Sequence, residues 1–111
     1  MGSGQDIREV TLRDIGWSGR LAEHLSMLPE PQLPEEWYAY RFATEALRGI
    51  GLFLDGDHAA SLVYRLEDDM GLEFVVVAAA GKWPGGDLTA TALPMIEAVA
   101  ENAGCTSLRL H

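Results

Sequence analysis

Cysteine is nearly missing from this sequence. Cys105 stands alone among 111 residues, so no intramolecular disulfide can form, a pattern that suits a reducing compartment. Basic residues are scarce as well: eight Lys and Arg stand against 17 Asp and Glu, a formal charge of −9. Nucleic-acid binding draws on clustered cations that displace counterions, so no direct contact with nucleic acid is expected. No apolar run approaches the roughly 18 residues of a membrane helix, and the N-terminus lacks a basic-then-apolar signal pattern. These absences point away from the membrane and toward the cytoplasm. Met1-Gly2-Ser3-Gly4-Gln5-Asp6 reads as a flexible leader or tag remnant, which leaves residues 7–111 as a single domain.

What is present is ordinary globular material: 48% hydrophobic and 23% charged residues, enough for one core and not two. The acidity suits solubility. It also suits a partner with a basic surface, which leaves an acidic inhibitor of a basic protein among the possible roles.

The order of elements follows from the apolar spacing. Ile7 to Leu12 alternates apolar and polar residues as a strand does, and Asp14 is placed to cap a following helix. Trp17, Leu21, Leu25 and Leu28 recur at helical spacing. Pro29, Pro31 and Pro34 then interrupt the chain. A second helix is predicted from Pro34, with Glu35 and Glu36 complementing its dipole and Arg48-Gly49 as its stop. Gly51–Leu54, Asp55-Gly56-Asp57-His58 and Ala59–Leu66 read as a hairpin, because Asp-Gly accepts the positive φ angles of a tight turn. After a turn at Asp68-Asp69-Met70-Gly71, Leu72 to Ala80 is the next strand, and its centre, Phe74 to Ala80, is a continuous apolar run, as expected of a strand covered on both faces. A helix over Leu88–Ala103 follows, troubled by Pro94. Gly104 closes it, and Cys105 to Leu110 is a last strand.

Between the buried strand and that helix lies Gly81-Lys82-Trp83-Pro84-Gly85-Gly86-Asp87. A glycine loop entering a helix N-terminus presents unpaired N–H groups and positive potential to an anion such as phosphate. The spacing is neither Gly-x-Gly-x-x-Gly nor that of a nucleotide P-loop, and a plain strand-to-helix connection is an equal reading.

This order of elements resembles the GCN5-related N-acetyltransferase (GNAT) fold, of the α/β (α+β) class: a strand, two helices, an antiparallel meander, a pyrophosphate loop, a helix and a strand. The family's loop pattern, Arg/Gln-x-x-Gly-x-Gly/Ala, is partly met by Lys82-Trp83-Pro84-Gly85-Gly86-Asp87. Asp87 departs from it, since a carboxylate there repels pyrophosphate unless it caps the helix. Leu72–Gly81, Ala92–Glu97 and Cys105–His111 are also similar to small GNAT-like proteins encoded by bacteriophages, some of which look like virion or accessory proteins. Typical family members continue past the last strand seen here. A minimal domain, or a partner chain or second copy pairing with the C-terminal strand edge, are both compatible with this.

The resemblance implies acetyl-CoA as cofactor. It implies Glu73 as general base, and the backbone of Val76, Val77 and Ala78 beside the pantetheine arm. It further implies Gly81, Lys82, Gly85, Gly86 and Leu88 around the pyrophosphate. Each has a plainer reading: a solvent-facing strand residue, ordinary sheet pairing, a flexible loop. Trp83 reads as packing on the nearest helix, and Tyr38 and Tyr40 as core or rim. His24, His58 and His111 show no metal-ligand spacing, no catalytic triad is legible, and Cys105 reads as a small buried hydrophobe. Two functions stand level: an N-acetyltransferase, and a GNAT-shaped interaction protein without catalysis, cytoplasmic or virion-associated.

Overall fold

The computed structural model describes residues 10–28, 33–68, 71–83 and 88–110. The leader, Asp69-Met70 and Pro84–Asp87, hence Gly85, Gly86 and Asp87 of the glycine loop, lie outside the described residues.

The chain runs β1 (Val10–Ile15), α1 (Gly19–Leu25), α2 (Glu35–Ala43), β2 (Arg48–Leu54), β3 (Asp57–Asp68), β4 (Leu72–Gly81), α3 (Leu88–Asn102), β5 (Ser107–Leu110). The strands form one sheet in the order β1-β2-β3-β4-β5. The first three pairings are antiparallel and β4–β5 is parallel, a junction that needs a crossover, supplied here by α3. The continuous apolar run accordingly forms an inner strand, β4. At the β2–β3 turn both central residues have positive φ, Asp55 at 51° and Gly56 at 89°, as a two-residue type I′ hairpin demands.

Alternation along β3 divides the core between the two faces of the sheet. Leu62 and Tyr64 face α3 and pack with Ile50, Leu52, Phe74, Val76, Ala92 and Ile96. Val63 faces the other way, against Leu21 and Leu25 of α1 and Tyr38 of α2. In α3 the core side is Ala92, Ile96 and Ala100, four residues apart. Pro94 sits inside the helix and is exposed, so α3 runs through it and forgoes one backbone donor rather than starting at Leu93.

Three expectations need correction. Asp14 lies within β1 and caps nothing; the N-cap of α1 is Ser18, whose hydroxyl accepts from the Leu21 amide at 3.2 Å. Arg48 and Gly49 do not end α2. They open β2, and the helix stops at Ala43 with Glu45 in left-handed backbone at φ 62°. The Glu45 amide bonds the Phe42 carbonyl and the Leu47 amide bonds the Arg41 carbonyl six residues back, so the end of α2 is satisfied by backbone groups. Finally, β5 begins at Ser107 rather than Cys105, because the Cys105 amide is taken by the Ala100 carbonyl of α3 at 2.9 Å.

Two bulges interrupt the regular pleat of the inner strands. Leu52 pairs with Ala60 but Phe53 with His58, so Ala59 is an extra residue in β3. Val63 pairs with Ala78 but Tyr64 with Val76, so Val77 is an extra residue in β4. Each bulge turns neighbouring side chains toward faces that strict alternation forbids.

Candidate functional site

The bulge at Val77 coincides with the end of the β4–β5 ladder. β5 pairs only with Glu73–Val76, so Val77–Gly81 have no strand on that side among the described residues. Val77 and Ala78 are consecutive, yet both pack on the α1/α2 side, as the bulge requires. Of the backbone positions expected beside a pantetheine arm, Val76 is paired with Leu110, while Val77 and Ala78 lie on the free edge. A free edge exposes N–H and C=O groups that a ligand amide or another strand can pair with.

The strand then leads into the glycine loop. Gly81 has φ +147°, and a Cβ there would lie 2.4 Å from the Ala60 Cα and 2.5 Å from the Ala59 carbonyl oxygen. The tight approach of β3 therefore accounts for glycine at this position. The Lys82 amide donates to the same Ala59 carbonyl at 2.9 Å and is spoken for; its side chain is exposed. Trp83 packs on the α3-side core. Leu88 is the first residue of α3, whose N-terminus carries the positive end of a 15-residue helix dipole.

Glu73 is the one ionisable residue of β4 and shares a face with Arg65 and Glu67, opposite Phe74 and Leu66. It stands directly across from Glu67 in the β3–β4 register, a like-charge pair that would repel. Arg109 of β5 resolves this. Its Nη2 donates to Glu67 Oε2 at 3.0 Å and lies 3.5 Å from Glu73 Oε1. Ser107 Oγ donates to Glu73 Oε2 at 3.3 Å, and Arg65 Nε donates to Glu67 Oε1 at 2.6 Å. The Arg65 hydrogen bond, joined by the charges of Arg65 and Arg109, holds the Glu67 carboxyl below its usual value. Glu73 is thus a positioned carboxylate rather than a freely solvated one.

Sequence reasoning missed a second polar group. His24 of α1, Ser61 of β3 and His58 of β3 converge: His24 Nδ1 is 2.7 Å and His58 Nε2 2.8 Å from Ser61 Oγ. The rings meet edge to face at 5.0 Å. His24 and Ser61 are buried. Burial lowers the pKa of both imidazoles below 6.5; the charges of His58 and Arg20 lower His24 further, against Glu23. For His58 the Ala60 backbone opposes and Arg20 adds to the lowering. Strict alternation would put residues 58 and 61 on opposite faces; the extra residue Ala59 puts them on one. An Ala-Ala pair in a polar-edged strand is a weak signal for such a bulge, and no pattern points from there to residue 24.

Other candidates settle as packing. Tyr38 is buried and stacks on Trp17 at 5.3 Å, whereas Tyr40 is exposed. Burial pushes the Cys105 thiol up, away from nucleophilic use. A cleft of about 140 Å³ lies between α1 and α2, walled by Trp17, Leu25, Leu33 and Tyr38. Another, of about 270 Å³, is bounded by Asp14, Glu45, Arg48 and Tyr64. Neither reaches Glu73 or Lys82. Among the described residues, no three His, Cys, Asp or Glu side chains are placed to hold a metal, and no helix is long and apolar enough to cross a membrane.

Solved structures of acetyltransferases resemble this chain in overall shape. A ribosomal-protein-alanine N-acetyltransferase from Brucella melitensis biovar Abortus 2308 superposes with a TM-score of 0.69 at 15% identity, over 93% of this chain and 80% of that one. The chain has a GNAT-like fold. A GNAT family acetyltransferase from Staphylococcus aureus subsp. aureus USA300_TCH1516 gives 0.66 at 10% identity, over 92% and 85% of the two chains. The aminoglycoside N-acetyltransferase AAC(6')-Iy, solved in complex with CoA, gives 0.64 at 12% identity, over 96% and 78%. No protein-family profile and no curated protein sequence matches the chain. At these identities the likeness is one of fold, and fold alone does not assign chemistry.

Proposed function

We propose that this GNAT-like domain binds acetyl-CoA and transfers its acetyl group to an amine. The observation that carries the reading is the edge of β4 from Val77 to Gly81, which begins at the bulge and has no strand on its β5 side among the described residues. Bound acetyl-CoA would supply an activated thioester. The chain's own residues would do the rest. Backbone groups of Val77 and Ala78 would pair with the amides of the pantetheine arm, and the N-terminus of α3 with the Lys82 ammonium would attract the pyrophosphate. Within the expected loop set, Gly81 serves the packing of β3, and the Lys82 amide is already bonded, so Lys82 would act through its side chain. Glu73, held by Ser107 and Arg109, would take the proton released by the acceptor ammonium. It lies four residues before the bulge, roughly 13 Å along a strand, so that proton would travel over intervening water. Isothermal titration with acetyl-CoA tests the reading. Saturable heat that vanishes with Lys82→Glu supports it, and absence of heat at millimolar acetyl-CoA removes it.

A second reading draws on the same edge. An interaction protein without catalysis, of the accessory or virion kind, would use Val77–Gly81 or β5 to pair with a strand of another chain or a second copy. The engagement of the Lys82 amide and of both Glu73 oxygens by protein groups favours it. Light scattering separates the two: self-association without acetyl-CoA binding selects this one.

A further inference from the structure

His24 and His58 are buried or half-buried titratable groups for which the proposed acetyl transfer has no use. They meet on a single hydroxyl, and one of them is on the seven-residue helix α1. From this geometry we infer that His24, Ser61 and His58 form a proton-operated latch. The latch keeps α1 docked on the sheet while both imidazoles are neutral, and releases it when the pair takes up a proton.

The serine fixes the logic. Its hydroxyl has one proton, so with two neutral imidazoles at 2.7 and 2.8 Å one ring donates to Oγ and Oγ donates to the other. The three groups then form a directed chain with every contact satisfied. A proton added to the accepting ring makes both rings donors. The serine proton loses its acceptor within the trio, and a cation now lies in a site closed off from water on the α1 side. Among the described residues, only the Glu23 charge and the Ala60 backbone favour that cation. Arg20 and Glu23 on α1 offer one charge of each sign and pair with each other at 3.4 Å. From β1, Arg13 sits 4.7 Å over the Phe53 ring, which itself stacks on His58. On the same side β4 presents Val77 and Ala78, neither charged.

α1 is the element that would yield. It has seven residues, too short to hold its shape without tertiary contacts. Its buried residues are Leu21, His24 and Leu25, so the latch is one of three anchors. The strands beneath are tied by continuous backbone ladders. Release would also open the cleft between α1 and α2, one wall of which is Leu25. This inference needs no ligand and is independent of the acetyl-transfer reading.

Hydrogen exchange on the full chain, corrected for intrinsic rates, tests it. Between pH 7.5 and pH 5.0 the amides of Ala22 and Ser26, which bond along α1, should lose tenfold or more of their protection, while those of Leu62 and Val75 keep theirs. The double variant His24→Asn, His58→Gln places amide groups where Nδ1 and Nε2 now stand, and should abolish the difference. Unchanged α1 protection overturns the latch. So does a loss shared equally by the strands, or a double variant that still responds to pH. Should that variant not fold, the imidazole Cε1 proton shifts of the native chain decide: their inflection must coincide with that of α1 exchange, and separate midpoints overturn the inference.

Discussion

The two faces of the sheet are built on different principles. Against α3 the core is Ile50, Leu52, Ala60, Leu62, Tyr64, Phe74, Val76, Ala92, Ile96 and Ala100, with Tyr64 the one member that carries a polar atom in its side chain. Against α1 and α2 the core is smaller, and polar groups surround it: the His24–Ser61–His58 trio at one end of β3 and the Arg65–Glu67–Arg109–Glu73 network at the other. Burying apolar surface against a long helix is non-directional and strong. Placing polar groups on the opposite face stabilises less but creates positions where protons and charges are held. The larger apolar core therefore lies on one face and the polar groups on the other.

Substitutions can break that division. Phe74→Ala should have the largest effect. Phe74 is fully buried and stacked on Tyr64 at 4.3 Å, and removing a buried phenylalanine costs about 3–5 kcal/mol; urea denaturation should show most of the domain's stability gone. Ser61→Ala should come next, at about 1–3 kcal/mol, because it strands two imidazole nitrogens without a partner. If Ser61→Ala were as damaging as Phe74→Ala, the polar face would be carrying the fold and the division would be wrong.

Acidification should separate the two polar groups from each other. His24 and His58 have folded-state pKa values lowered from 6.5, so their contribution is complete above pH 6.5 and declines as pH falls below it, the unfolded chain binding protons first. Glu67 is also lowered, from 4.5; its contribution is complete above pH 4.5 and declines only below that. Thermal unfolding at closely spaced pH values should show two steps of loss. A single step near pH 4 would mean that the imidazole trio adds nothing.

Much of the fold was legible in the sequence, for local reasons. Asp55-Gly56 names its turn type, Pro34 followed by two glutamates opens a helix, and the apolar centre of β4, Phe74 to Ala80, reads as an inner strand. The misreadings come from residues with two meanings. Arg48-Gly49 is a common helix end, but it also suits a strand start, where a Cβ on Gly49 would lie 3.0 Å from both the Ile15 carbonyl oxygen and the Phe42 ring. Asp14 and Ser18 are both good caps, and only the length of β1 decides between them. The polar trio was illegible, since it joins residues 37 apart through a bulge that cancels alternation. The ligands of Glu73 were equally hidden, because Ser107 lies 34 residues away on a parallel strand. Of the candidate site, the place of Glu73 on β4 could be read in advance; its restraint by Arg109 could not.

That restraint yields the prediction with the smallest expected effect on stability. Glu73→Gln leaves Arg109 paired with Glu67 at 3.0 Å and removes one partner from a half-exposed arginine, so stability should change by no more than about 1 kcal/mol, as for exposed ion pairs generally. On the acetyl-transfer reading the same change removes the proton acceptor and should lower turnover of an accepted amine by about 10²–10⁴-fold, with acetyl-CoA binding unchanged. Glu67→Gln is the paired measurement. It should perturb stability at least as much, because Glu67 accepts from both Arg65 and Arg109, while leaving turnover within a few-fold of the native chain. If the two variants lose activity together, Glu73 acts only as part of the ionic network. If Glu73→Gln alone loses it, the carboxylate itself handles the proton.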